Sequence, residues 1–225
     1  MLDLVLFGAL PYVAVALAIG VGGYRYVYDR FSYSSFSAQF LENRALFWGS
    51  VPWHYGVILI LLAHVLVLLF PGVWKTIISE PTRLYTLEVI GLVLSLSASL
   101  GLLLLLVRRL FVSRIMSVTS TMDWVLLLVL LTQVALGFYV ALVFRWGSDW
   151  YVHTAVPWLI SLVKLDPKLE FVTSLPWEIK IHMLGGFVIL ALFPFTRLVH
   201  VITLPITYLW RPYQVVVWNR ERTQS

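Results

Sequence analysis

Four histidines lie in apolar surroundings in this chain: His54 and His64 in the stretch Trp53–Phe70, and His182 and His200 in the stretch Trp177–Tyr208. Neutral imidazole can bind a metal without carrying charge into an apolar medium, because one ring nitrogen keeps its lone pair free. Ionisable side chains inside apolar spans are costly and mark a function. A single one is more often a hydrogen-bonded helix contact than a ligand. Four on two stretches, at levels that match, are better explained as two pairs of axial ligands for two b haems. The chain has no cysteine, which excludes disulfides, thiolate sites, iron–sulfur ligation and covalent haem attachment. Any haem is therefore held by nitrogen ligands and packing. The fifth histidine, His153, falls in a polar connection and reads as surface or as the edge of a quinone site.

The elements that position these imidazoles follow from composition. Only 12% of the 225 residues are charged and 60% are hydrophobic, whereas an ordinary soluble domain is about 25% charged. Apolar runs recur that are long enough to cross a hydrocarbon core of about 30 Å. The fold class expected is an all-α integral membrane protein. Its single domain, 1–225, holds five spans at about 4–21, 52–70, 86–107, 123–144 and 177–208. Helices are required because the bilayer offers no partner for an open backbone hydrogen bond. No basic residue precedes the first span, so it is expected as an uncleaved anchor. Pro52 is expected to open the second span, and Pro194 to kink the fifth. Residues 73–85 are expected as a loop. In the long connection 145–176, Ala155–Val163 is expected as an interfacial helix. Ten Trp and eleven Tyr suit aromatic belts at the two interfaces.

The formal charge of +5 falls in the connections and is a topology signal, with no basic face interleaved with stacking aromatics. Ten of the sixteen Lys and Arg fall on one side: Arg25, Arg30, Arg44, Arg108, Arg109, Arg114, Arg197, Arg211, Arg220 and Arg222. The other six are Lys75, Arg83, Arg145, Lys164, Lys168 and Lys180. The richer side is expected in the cytoplasm, with the N-terminus outside and the C-terminus inside. Spans two and five then run in opposite directions. His54 and His200 share the inner level, and His64 and His182 the outer. The ten residues between the span-two histidines rise about 15 Å, and the eighteen between the span-five pair about 27 Å, so tilt or a kink must reconcile them. Gly185 and Gly186, one turn after His182, leave room for a porphyrin edge or a close helix. Arg197, one turn before His200, is a candidate partner for a haem propionate.

The run LFPFTRLVHVITLPITYLWRPYQVVV, Leu192–Val217, and the run WHYGVILILLAHVLVLLFP, Trp53–Pro71, resemble the gamma subunit of respiratory nitrate reductases, a dihaem cytochrome b family. Length, five spans and the four histidines agree over essentially the whole chain. The resemblance implies the pairs His54–His200 for an inner haem and His64–His182 for an outer one. It implies quinol oxidation at the outer haem and electron transfer through both haems to an iron–sulfur beta subunit. From there electrons pass to a molybdenum alpha subunit that reduces nitrate. It also implies a cell-membrane location. Family members can carry a quinol-binding lysine at the outer start of span three. That place holds Tyr85 here, with Arg83 close by, so His64, Arg83, Tyr85 and Lys75 are the candidate quinol contacts. The alternatives are a similar dihaem subunit of a sulfite-reducing or heterodisulfide-type complex, and a non-redox transporter or scaffold with structural histidines.

Overall fold

The computed structural model describes residues 1–29, 42 and 44–202. The expectations on Arg30, on the fifth span beyond residue 202 and on the basic tail lie outside the described residues. All regular structure among the described residues is helical. Five helices are long and apolar enough to cross a membrane: Leu4–Tyr28, Arg44–Leu69, Pro81–Phe111, Thr121–Val143 and Trp177–Phe195.

The first begins with a π-helical turn, Leu4–Ala9, and continues as α1, Leu10–Tyr28. Pro11 has no N–H for the carbonyl of Phe7. That carbonyl instead accepts the indole N–H of Trp158 at 3.2 Å. A local backbone defect thus becomes a long-range tie between the chain start and the connection before the fifth span.

The second helix, α2 (Arg44–Leu69), starts at residue 44 and carries Pro52 inside it, which corrects the expectation that Pro52 opens the span. A proline denies a bond to one carbonyl only, and the start of this helix is capped elsewhere. The Glu42 carboxylate accepts the N–H groups of Ala45 and Leu46 at 2.7 and 3.3 Å. Those bonds and Arg108, 2.7 Å away, hold the carboxyl below its usual range.

Residues 73–85 are helical apart from the short turn at Ser79 and Glu80, not the loop expected. They comprise most of α3 (Pro71–Ile78) and the first turn of α4 (Pro81–Phe111). Glu80 accepts from the N–H groups of Thr82 and Arg83 at 3.0 and 2.8 Å. Two terminal donors are satisfied, and α4 begins well before residue 86. The short α5, Ser113–Met116, leads to α6, Thr121–Val143, which opens on a reciprocal Ser120–Asp123 capping box.

The long connection folds into α7 (Gly147–His153), α8 (Ala155–Val163) and α9 (Glu170–Thr173). The apolar segment expected to lie along the interface is helical, but Val156, Trp158 and Leu162 are buried. It plugs the end of the bundle. Trp158 and Leu162 pack with Phe7 and Val172, while Val156 packs with Val67, Ile78 and Val152.

The last helix, α10, runs only from Trp177 to Leu192. Two 3-10 turns follow, Phe193–Phe195 and Arg197–Val201, separated by Thr196 in an extended conformation, φ −123° and ψ 177°. A continuous span to Tyr208 is therefore corrected to a helix broken at Thr196. Pro194 cannot donate to the carbonyl of Leu190, and the Thr196 hydroxyl accepts the N–H of Leu198 to start the new turn. The break redirects the chain that carries His200.

Packing places α2 against α4, α4 against α6, α6 against α10 and α10 against α1. The α2–α4 approach depends on small residues. A Cβ on Gly56 would stand 2.8 Å from the Leu94 carbonyl, and one on Gly101 would stand 2.6 Å from the Trp53 nitrogen. Without an excess hydrophobic force between helices in lipid, such backbone approach supplies the van der Waals contact that holds them.

Candidate functional site

Two histidine levels follow from this bundle. At the end opposite the α7–α8 plug, His54 on α2 and His200 in the second 3-10 turn have ring centroids 6.3 Å apart, with planes at 72°. Two imidazoles sharing one metal through bonds of about 2 Å each would place their centroids roughly 6 Å apart. The Nδ1 of His54 lies 2.8 Å from the Ser50 carbonyl, and that of His200 lies 2.5 Å from the Arg197 carbonyl. A ring N–H spent on a backbone carbonyl leaves Nε2 unprotonated, which is the ligand-competent tautomer.

Near the plug lie His64 on α2 and His182 on α10. The Nδ1 of His64 donates to the Ile60 carbonyl at 2.8 Å, again leaving Nε2 free. His182 differs. Its Nδ1 and the Oε1 of Gln133 are buried without a hydrogen-bond partner among the described residues. Gln133 Nε2 donates to the His182 carbonyl at 2.9 Å. A Cβ on Gly137 would stand 2.9 Å from His182 Cε1. The glycine is what lets the imidazole edge lie against α6.

The donor chemistry fits b haem: nitrogen donors only, one pair facing at 6.3 Å, and three of the four imidazoles with tautomers set by backbone carbonyls. No cluster of three or more His, Asp or Glu forms among the described residues. A site closed by protein ligands alone, such as a structural zinc site, would need four.

The other expected residues distribute as follows. Arg197, the candidate propionate partner, forks onto Asp123, with Nε 2.6 Å from Oδ1 and Nη2 2.9 Å from Oδ2. Arg83 turns to Glu80 at 3.6 Å, while Tyr85, 61% exposed, and Lys75 point outward. The side chain seated on His64 is Tyr151 of α7, with ring centroids 5.0 Å apart and its hydroxyl 3.4 Å from the His64 carbonyl. Burial pushes the Tyr151 phenol up to about 12. His153 lies on the same short helix, exposed, with its Nδ1 3.5 Å from Asp149 Oδ1 and 2.9 Å from the Asp149 carbonyl.

Sequence reasoning passed over Asp123, Gln133, Gly137 and Tyr151. Gln133 left a signal, being an amide in the middle of an apolar span. Asp123 looked like the polar boundary of a span, and Tyr151 like one of many interfacial aromatics.

A bundle of five membrane-length helices, the last one broken, defines a class, the multi-pass helical membrane protein. Comparison with known proteins narrows it. Residues 3–219 match the model of the family described as nitrate reductase gamma subunit. The chain is 37% identical over 219 residues to the nitrate reductase gamma chain of Bacillus subtilis strain 168, covering 94% of this chain and 96% of that one. It is 29% identical over 224 residues to the respiratory nitrate reductase 1 gamma chain of Escherichia coli K12, covering 96% and 97%. It is also 30% identical over 220 residues to the nitrate reductase-like protein NarX of Mycobacterium tuberculosis H37Rv, where the match covers 94% of this chain and 33% of NarX. This chain belongs to the nitrate reductase gamma subunit family. It is a multi-pass membrane subunit of a nitrate reductase complex and associates with other subunits of that complex.

Proposed function

We propose that this subunit oxidises membrane quinol near the His64–His182 end and passes the electrons through two b haems to the His54–His200 end. Haem iron, when bound, supplies reversible one-electron steps between ferric and ferrous states. His54 and His200 hold the inner group, and His64 and His182 the outer. The Nδ1 bonds of His54, His64 and His200 to backbone carbonyls keep their Nε2 lone pairs aimed and raise ligand basicity.

Quinol oxidation to quinone releases two electrons and two protons. The protons leave to water at the outer end, where His64, Tyr151, Arg83, Tyr85 and Lys75 are the candidate quinol contacts. Tyr151, its hydroxyl pushed up to about 12, stays protonated and serves as a hydrogen-bond donor, not a base. Electrons leave at the inner end for an iron–sulfur beta subunit, then a molybdenum alpha subunit that reduces nitrate. With the N-terminus outside and the C-terminus in the cytoplasm, this separates charge across the cell membrane.

The observation that supports this reading most is the meeting of His54 and His200 at 6.3 Å across a broken helix. The test is haem content in the intact complex and in four single variants. A ratio of two haems per subunit is expected. His54→Ala and His200→Ala should lose one and the same haem, and His64→Ala and His182→Ala the other. A chain without a reduced b-type band, or His54 and His64 variants that lose the same haem, would overturn the assignment.

A further inference from the structure

We propose that Asp123 is a positioning residue for His200, acting through Arg197; this deepens the assignment of His54 and His200 as the inner ligand pair and rests on it. The chain geometry creates the need. His200 is not carried by α10, which ends at Leu192, but by a 3-10 turn after the extended Thr196. Such turns have poorer hydrogen-bond geometry than an α-helix and hold a side chain less firmly. Among the described residues, Arg197 ties the turn to α6. Arg197 grips both oxygens of Asp123, at 2.6 and 2.9 Å, and its own carbonyl lies 2.5 Å from His200 Nδ1.

Asp123 is itself rigid. It is 5% exposed, it belongs to the capping box that opens α6, and Arg109 of α4 approaches it at 3.5 Å. A bidentate guanidinium–carboxylate pair fixes direction as well as distance. The orientation of the His200 ring is therefore set from α6 through one arginine, whose side chain holds the carboxylate and whose carbonyl holds the imidazole.

Among the described residues Asp123 has two cationic partners, Arg109 and Arg197, and of these Arg197 leads to His200. This separates positioning from general stabilisation of the helix ends. The experiment uses the membrane-bound complex and reads, for each haem, the midpoint potential and the low-spin ferric resonance. The inner haem is identified by its loss in His54→Ala. Asp123→Asn and Arg197→Gln should shift or abolish the inner resonance and leave the outer one at its wild-type position. Arg109→Gln should leave both in place, and Asp123→Glu should restore the inner signal.

An unchanged inner haem in Asp123→Asn overturns the proposal. So does equal loss of both haems with Arg109→Gln behaving like Arg197→Gln. Should Asp123→Asn fail to accumulate, Arg197→Lys, which keeps the charge and removes the fork, decides in the same way: a shifted inner resonance supports, an unshifted one refutes. A wild-type complex lacking two haems would instead overturn the assignment of the ligand pairs.

Discussion

Gly101→Ala should disturb one histidine level and spare the other. The added Cβ would stand 2.6 Å from the Trp53 nitrogen, 2.7 Å from the Gly49 carbonyl oxygen and 3.1 Å from Trp53 Cα. All three are backbone atoms of α2, so no rotamer change relieves the overlap. Ordinary contact begins at 3.4 Å, which requires α2 to retreat by about 0.8 Å. His54 follows Trp53 directly and moves with it. A ligand constellation tolerates about 0.5 Å before its geometry degrades, so the inner pair should be impaired. Overpacking costs about 1–3 kcal/mol. The helix gains up to about 1 kcal/mol from replacing glycine by alanine, which leaves a net loss of about 0–2 kcal/mol, and a loss of about 1–3 kcal/mol relative to an unhindered Gly→Ala change on the same helix.

The control lies on the same helix. Gly91 has nothing within 4 Å of its built Cβ, so Gly91→Ala should be neutral or slightly stabilising. The assay is denaturation of the purified subunit in detergent, read together with haem spectra. A Gly101→Ala protein as stable as Gly91→Ala, with both haems at wild-type level, would refute the claim that the α2–α4 approach sets the inner site.

Two further outcomes are expected. Gly185→Ala would place a methyl over Gln133 Oε1, displacing the amide that donates to the His182 carbonyl at 2.9 Å; the outer haem should be perturbed and the inner one retained, and the reverse pattern in optical titration would contradict the level assignment. Tyr151 holds its proton more tightly when folded, up to about 12 against an ordinary 10, so its contribution to stability is full below pH 10 and fades as pH rises towards 12. A difference titration of wild type against Tyr151→Phe by tyrosinate absorbance checks this, and a phenolate appearing near pH 10 would refute it.

Much of the molecule was legible in the chain, for reasons that are local. Hydropathy is a property of each run of residues, so five spans could be found without knowing their neighbours. Antiparallel alternation then assigned His54 and His200 to one level, the pair now seen at 6.3 Å. Helix ends were read less well. Pro52 looked like a start because proline suits a first turn, yet Glu42 supplies the cap and the helix runs through.

What only the tertiary structure decided are the contacts between residues far apart in the chain. Arg197 meets Asp123 across 74 positions, Tyr151 meets His64 across 87, and Trp158 meets the Phe7 carbonyl across 151. Such pairings leave no period in the sequence, because they depend on which helix faces which and at what height. The break at Thr196 belongs with them. A proline and a threonine in an apolar run are compatible with a kinked span, and the redirected turn is seen only with its anchor on α6, where a buried carboxylate holds the arginine that carries His200 into place.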